Sequence, residues 1–158
     1  MTPGAPPEDA RFPPKYASAA AIIRDADGRI LIVNPTYKDG WELPGGIVEA
    51  NESPRDGCAR ELREEIGLDI PVGRMLVVDY SDRARMEGLH FVFDGGRLSE
   101  AKIAAITLAE DELSEFAFVD LAEATARLVL GSSLRAPQAV AALEDGRARY
   151  LERGEPRG

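Results

Sequence analysis

The sequence feature that most constrains the fold is a helix signal from about Pro54 to Ile66. Ser53 can cap the start of such a helix, and Pro54 suits its first position. Gly67 can adopt the left-handed conformation that commonly ends a helix. A buried face is predicted by apolar residues that recur every four positions, namely Cys58, Leu62 and Ile66.

The opposite face of this helix carries a cluster of carboxylates. Glu61, Glu64 and Glu65 are three and four residues apart, so their side chains lie on one face. Like charges at these spacings destabilise a helix unless something compensates for them. A cation that prefers hard oxygen ligands, Mg²⁺ or Mn²⁺, would do so. The alternative interpretation is a glutamate-rich face that is simply solvated.

The residues around the helix favour the metal site, because they form a recognisable motif. The motif comprises Gly46, Glu52, Arg60-Glu61-Leu62, Glu64-Glu65 and Gly67-Leu68, at fixed spacing. This pattern resembles the complete signature box of the Nudix hydrolases. The resemblance implies an α/β protein, an α/β/α sandwich with a mixed β-sheet and a catalytic helix at about 54–66. It also implies hydrolysis of a nucleoside diphosphate linked to another group X, with Mg²⁺ or Mn²⁺ as cofactor.

The resemblance assigns a role to each motif residue. Glu64 and Glu65 correspond to the family's principal metal ligands, with the carbonyl of Gly45 as a further ligand. Glu61 corresponds to a residue that serves as general base or as another ligand. Arg60 would orient Glu61 through a charge-assisted hydrogen bond. The expected catalytic group is therefore Arg60, Glu61 and Glu64.

Other motif positions are expected to be structural. Gly46, Glu52 and Gly67 shape the box, with Glu52 tying the loop to the helix. Asn51 stands where the family often has glycine, and asparagine tolerates positive φ better than most residues. Gly57 stands where alanine is expected and should cost the helix about 0.5 to 1 kcal/mol.

Composition excludes several other classes of function. The chain has 158 residues, the size of one domain, and a formal net charge of −9, which disfavours binding to nucleic-acid backbone or anionic membrane. A polyphosphate substrate would therefore need local positive charge. The one cysteine, Cys58, excludes an internal disulfide and is expected in the core. No apolar run approaches the roughly 18 residues of a membrane span, so we expect a cytoplasmic protein.

Read in order, the chain begins with a proline-rich segment, residues 1–14, that we expect to be a flexible arm, and residues 15–158 are expected to form one domain. Strands are predicted at 15–24, 29–34, 41–43, 75–80, 89–96 and 116–119. Residues 98–108 are compatible with a further strand that ends near Leu108. Helices are predicted at 121–130, with Asp120 as cap and Gly131 as terminator, and at 137–151, with a weak point at Gly146.

Candidate substrate contacts lie in two loops. Tyr37, Lys38 and Trp41 precede the box, where loops beside an active site carry specificity. Trp41 is equally consistent with structural packing. Arg83 and Arg85 lie in a charged linker and could meet phosphates, although a solvated loop is the alternative. His90 lies among alternating apolar residues and is expected to be a strand residue rather than a base.

A further acidic segment precedes the last predicted strand. In Nudix proteins a glutamate from a loop in this region often completes the metal site or acts as base. Glu112 and Glu115 are the candidates here, and no motif decides between them. An exposed acidic loop without function is the alternative.

The substrate is the least constrained property. The chain reads SDRAR where ADP-ribose hydrolases usually carry a proline beyond the box, and the tyrosine of diadenosine polyphosphate hydrolases is also missing. A nucleoside triphosphate pyrophosphohydrolase of the MutT type is therefore the expectation, with an ADP-ribose or nucleotide-sugar pyrophosphatase as alternative. A Nudix-fold nucleotide sensor without activity is the rival class, but such modules typically lose box glutamates. Homodimers are frequent in the family.

Overall fold

The computed structural model describes residues 12–83 and 86–158, so most of the predicted arm and Arg85 lie outside the described residues. The strands are Tyr16–Arg24 (β1), Ile30–Pro35 (β2), Gly45–Ile47 (β3), Met75–Ser81 (β4), Gly88–Arg97 (β5), Leu113–Val119 (β6), Arg149–Glu152 (β7) and Glu155–Pro156 (β8). The helices are Pro54–Ile66 (α1), Glu100–Ala104 (α2), Leu121–Arg127 (α3) and Leu130–Asp145 (α4).

The strands form one mixed sheet of eight strands. Its order is β6-β2-β1-β5-β4-β7-β8, and β3 pairs with β1 beside the main path. The β1–β5 and β4–β7 pairs are parallel, and the other pairs are antiparallel. The predicted mixed sheet is confirmed.

Helices cover both faces of the sheet, which gives the predicted α/β/α sandwich. Successive side chains of a strand point to opposite faces, so the apolar strand β1 supplies two cores. Its residues Ala19, Ala21 and Ile23 belong to the cluster that contains Cys58, Leu62 and Ile66 of α1. Its residue Ile22 belongs to the cluster that contains Ala136, Ala139 and Ala142 of α4.

Helix α1 begins and ends as its sequence predicts. The Ser53 side chain accepts a hydrogen bond from the Asp56 N–H at 3.1 Å. Gly67 has φ 71° and donates its N–H to the carbonyl of Arg63 at 3.1 Å. The expected core cysteine is confirmed, since Cys58 is fully buried and burial raises its pKa to about 12.

The last helix was predicted wrongly. Helix α4 runs from Leu130 to Asp145 and contains Pro137 within it. An internal proline removes one helical hydrogen bond and costs about 3 kcal/mol, but here burial of the alanine face against the sheet outweighs that cost. Gly146 ends the helix in a left-handed conformation with φ 76°, and the following residues form the β7–β8 hairpin.

The preceding helix also differs from its prediction. Helix α3 begins after the predicted Asp120 cap, but it ends at Arg127 instead of Leu130. The backbone of Trp41 pairs with the segment between α3 and α4. The Trp41 N–H donates to the Arg127 carbonyl, and the Trp41 carbonyl accepts the Val129 N–H. These hydrogen bonds replace the continuation of the helix, and Gly131 lies inside α4.

Two predicted strands are also corrected. Residues 98–108, whose pattern was compatible with a strand, contain instead the short helix α2, which is capped by Ser99. Residues 41–43 make only isolated bridges, and the regular strand is the glycine-containing β3. Within the described residues no helix is both long and apolar enough to cross a membrane.

The packing of α1 predicts the effect of a core substitution. Leu62→Ala should lower the free energy of unfolding by about 2 to 5 kcal/mol, because a fully buried side chain leaves a cavity. Urea denaturation measures this change. Arg63→Ala, on the exposed side of the same helix, is the control and should change stability little. Equal effects of the two substitutions would contradict the assignment of the helix faces.

Candidate active site

The Arg60 guanidinium is the centre of the ionic contacts around α1. Its Nη2 lies 2.9 Å from Glu52 Oε1 and donates to the Ile47 carbonyl at 3.0 Å. Its Nη1 lies 3.1 Å from Glu61 Oε1 and 3.1 Å from Glu64 Oε2. Arg60 lowers the pKa of Glu52. The Arg60 side chain therefore connects the loop before α1, the end of β3 and the acidic face of α1.

Gly46 permits the close approach of β3 to Glu61. A Cβ at this position would overlap the Glu61 carboxylate, lying 2.6 Å from its Oε1. Burial raises the pKa of Glu61, although the hydrogen bond from Arg60 opposes the effect. The glycine of the motif thus gives the carboxylate its position against the strand.

Gly45 lets the same strand lie close against β1 and supplies a hydrogen-bond donor to Glu65. Its φ of 152° and its contacts with the backbone of Ala19 and Ala20 leave no room for a side chain. Its N–H donates to Glu65 Oε1 at 3.4 Å. Glu65 is 7% exposed, and burial, followed by the charge of Glu61, raises its pKa to about 8.

The loop before α1 is held by Glu52. The Glu49 N–H donates to Glu52 Oε1 at 2.8 Å, and Asn51 has the positive φ, 64°, that its position was expected to require. A Cβ on Gly57 would lie 2.9 Å from Glu52 Oε1. Glycine at this position therefore leaves space for the Glu52 side chain, a benefit that offsets its expected cost to the helix.

The carboxylates of α1 face an acidic cleft. Its lining includes Glu61, Glu64 and Glu65, together with Glu112 from the segment before β6. Glu115 is not part of this lining, and its Oε1 accepts a hydrogen bond from Asn34 Nδ2 at 3.1 Å. The geometry therefore favours Glu112 over Glu115 as the additional acidic residue.

Residues 107–109 bring Glu112 to the cleft by capping the end of α1. The Thr107 N–H donates to the Ile66 carbonyl at 3.0 Å, and the Ala109 N–H donates to the Glu65 carbonyl at 3.1 Å. These bonds satisfy carbonyls that the end of a helix leaves without partners.

The acidic cleft offers oxygen donors, which suit Mg²⁺ or Mn²⁺. Within residues 12–83 and 86–158, no three His, Cys, Asp or Glu side chains converge on one point. Arg60 Nη1 binds both Glu61 and Glu64, so these two carboxylates make ion pairs within the protein. Glu65 has the Gly45 N–H as its hydrogen-bond donor.

A second cleft of about 360 Å³ adjoins the acidic one. The two share Tyr37, Gly45, Gly46, Ile47 and Glu65 in their linings. The second cleft adds a set of polar side chains from β1, β5, α4 and the loop after β2, namely Ser18, Lys38, Glu42, His90, Ser132 and Arg135.

Of the predicted substrate contacts that the structure describes, two line a cleft and two do not. Tyr37 lines both clefts, and Lys38 lines the second, with its Nζ 2.5 Å from Glu42 Oε1. Trp41 lines neither cleft, because it packs on the core under the guanidinium of Arg127, 4.0 Å from its ring centre. Arg83 also lines neither cleft and donates to the Arg153 carbonyl at 2.8 Å.

His90 has a structural partner, as expected for a strand residue. Its Nδ1 lies 2.6 Å from Ser18 Oγ, and burial, followed by the charge of Arg135, lowers its pKa to about 4. Ser132 and Arg135 line the second cleft without having been predicted from the sequence. These two polar residues are three positions apart on an alanine-rich helix, so they lie on one face. This spacing indicates a cleft contact only when the strand that packs against the helix is known.

Burial of Glu65 predicts a pH-dependent effect of neutralising it. A folded pKa of about 8, above the ordinary 4.5, means that the folded state binds the proton more tightly. This contribution to stability is complete below pH 4.5 and is lost as the pH rises through 8. In the presence of a chelator, Glu65→Gln should therefore raise the melting temperature more at pH 9 than at pH 6.

Thermal melts of the wild type and the variant across this pH range measure the difference. Glu144→Gln makes the same chemical change at an exposed position of α4 and should shift the melting temperature equally at both pH values. Parallel melting profiles for the wild type and Glu65→Gln would contradict the assigned burial of the carboxylate.

The chain is similar to known proteins over most of its length. The profile of the NUDIX domain matches residues 14–138. A MutT-like protein of Streptomyces ambofaciens is 35% identical over 114 residues, which cover 69% of this chain and 74% of the relative. A CTP pyrophosphohydrolase of Escherichia coli K12 is 43% identical over 63 residues, which cover 37% of this chain and 47% of that enzyme.

A solved structure supports the fold. The crystal structure of a MutT protein from Methanosarcina mazei Go1 superimposes with a TM-score of 0.69 at 24% identity, covering 87% of this chain and 99% of that one. The Nudix box of the sequence, the α/β/α sandwich and the profile match lead to one conclusion. The chain belongs to the Nudix family.

Proposed function

We propose that the protein is a metal-dependent pyrophosphohydrolase that cleaves a nucleoside diphosphate linked to X, with nucleoside triphosphates as the favoured class. One observation carries the proposal: the acidic cleft continues into a second cleft through Gly45, Gly46 and Glu65. The acidic cleft suits metal ions and phosphates, and the adjoining cleft offers space for the nucleoside.

The donor set fits a hard divalent cation. Glu64, Glu65 and the Gly45 carbonyl would hold Mg²⁺ or Mn²⁺, with Glu112 as an additional ligand and Glu61 as another where it does not act as the base. All these donors are oxygen atoms, which such ions prefer. When bound, the cation would offset charge on the phosphoryl oxygens and lower the pKa of a water molecule.

The side chains of the cleft would handle the proton and the loop geometry. The water oxygen forms a bond to one phosphorus while the bridging P–O bond to the other phosphorus breaks. Glu61 is the favoured acceptor of the water proton, because burial raises the pKa of this carboxylate, and Glu112 is the alternative. Arg60 would orient Glu61 through the 3.1 Å contact with Oε1.

One comparison supports a triphosphate substrate, because the relative concerned is a CTP pyrophosphohydrolase. The relative with the longer match, a MutT-like protein, agrees with the MutT-type expectation from the sequence. With a triphosphate, the products would be a nucleoside monophosphate and pyrophosphate. Because the chain spans under half of the CTP enzyme, the base is addressed below from this chain's own cleft.

A phosphate-release screen with Mg²⁺ or Mn²⁺ at slightly alkaline pH tests the proposal. The panel comprises nucleoside triphosphates, oxidised ones included, ADP-ribose, nucleotide sugars, dinucleoside polyphosphates and NADH, with added pyrophosphatase or phosphatase to release countable phosphate. We expect turnover of triphosphates that requires the metal. Glu64→Gln and Glu65→Gln should each lower it by several orders of magnitude, because each removes a proposed metal ligand.

The exposed Glu144→Gln is the matched control and should keep wild-type turnover. Near wild-type activity in Glu65→Gln would contradict the ligand assignment. Saturable nucleotide binding without metal-dependent product release would identify a sensor and overturn the proposed hydrolysis.

A further inference from the structure

We infer that Arg135 reads the nucleobase in the second cleft and selects bases that present two adjacent hydrogen-bond acceptors, guanine and cytosine. The inference rests on the proposed function, because it takes the substrate to be a nucleotide whose phosphates lie in the acidic cleft. Arg135 lines the second cleft and is not part of the acidic lining.

The guanidinium of Arg135 is anchored from one side. Its Nε donates to Asp79 Oδ2 at 2.7 Å, and Asp79 is completely buried. The other oxygen of Asp79 accepts the N–H of Gly154 at 2.9 Å. Because both carboxylate oxygens have partners, Asp79 and its bound guanidinium have a defined orientation.

Gly131 provides the space that the guanidinium occupies. A Cβ at Gly131 would lie 3.1 Å from Nη2, 3.2 Å from Nη1 and 3.3 Å from Cζ of Arg135. Gly131 stands in the first turn of α4 with no positive φ to explain the glycine. A close approach of the guanidinium to the helix backbone explains it.

The terminal nitrogens of Arg135 remain available for a ligand. Among the residues that the structure describes, Arg135 makes one protein hydrogen bond, through Nε. Nη1 and Nη2 carry four N–H groups with no acceptor there. They therefore form the planar donor pair that arginine uses for bidentate recognition.

Lys38, Glu42 and His90 also line this cleft, and each is either paired or neutral. Glu42 Oε1 binds Lys38 Nζ at 2.5 Å, and Glu42 Oε2 accepts from Ser132 Oγ at 2.7 Å. His90 stays neutral, because burial and the neighbouring Arg135 charge lower its pKa to about 4. Arg135 is thus the cation of this lining whose terminal nitrogens have no acceptor among the described protein atoms.

The shape of this donor pair discriminates between bases. Guanine presents O6 beside N7, and cytosine presents O2 beside N3, so each offers two neighbouring acceptors to one guanidinium. Adenine places its amino donor beside N7 and N1, and uracil places an N–H between its carbonyls. A two-donor fork therefore pairs fully with the first two bases and only partly with the others.

Calorimetric titration of GMP, CMP, AMP and UMP into the full chain with Mg²⁺ tests the inference without requiring turnover. We expect GMP and CMP to bind about 10- to 100-fold more tightly than AMP and UMP. Arg135→Lys keeps a positive charge beside Asp79 but loses the planar fork, so it should reduce this preference to less than about threefold.

Two further variants make the test decisive. Gly131→Ala retains the Arg135–Asp79 charge pair and places a methyl group against the guanidinium, so it should weaken the preference if Arg135→Lys does not fold. Arg149→Lys, outside both clefts, makes the same chemical change as the first variant and should leave the preference intact. Melting curves identify which variants are folded.

The outcomes separate this inference from the proposed function. Absence of a base preference in the wild type, or its persistence in folded Arg135→Lys, would overturn the role of Arg135 even if triphosphates are hydrolysed. A preference that Arg135→Lys removes would support the role of Arg135, and in that case failure to hydrolyse any triphosphate would overturn only the proposed hydrolysis.

Discussion

The ionic contacts of Arg60 are the constraint on which the active-site geometry depends. Its guanidinium binds Glu52 in the loop, the carbonyl of Ile47 at the end of β3, and both Glu61 and Glu64 on α1. Carboxylates three or four residues apart on a helix repel one another, and the positive charge of Arg60 between them offsets that repulsion. The same contacts keep the loop, strand and helix in one arrangement, so that the acidic residues face a common cleft.

Close backbone packing complements these charges. Gly46 lets β3 approach Glu61 of α1 more closely than any side chain would permit, and Gly45 lets the same strand lie against β1. Burial of a carboxylate favours its neutral form, which raises the pKa of Glu65 to about 8. A divalent cation would reverse that preference, because it stabilises the ionised form. The fold therefore holds several carboxylates close together, and their ionised forms would be stabilised by an added positive charge.

Local signals in the sequence predicted the parts of the structure that local interactions determine. Ser53 and Gly67 cap α1 as expected, and its apolar face is buried as the helical spacing predicts. Glu65, which was expected on the opposite face, is buried as well. Pro137 misled the prediction of α4, since tertiary burial of an alanine face outweighed a local helix-breaking preference. The partnership of Arg135 with Asp79, 56 residues away in sequence, depends on how α4 packs on the sheet and has no local signal.

A titration of Mn²⁺ into the metal-free protein tests the central claim most directly, because it examines the acidic cleft before any substrate is chosen. Followed by electron paramagnetic resonance of the free ion, the wild type should show saturable binding that Glu65→Gln weakens strongly and Glu144→Gln leaves unchanged. Absence of saturable binding in the wild type, or equal binding in Glu65→Gln, would contradict a metal site built on the carboxylates of α1.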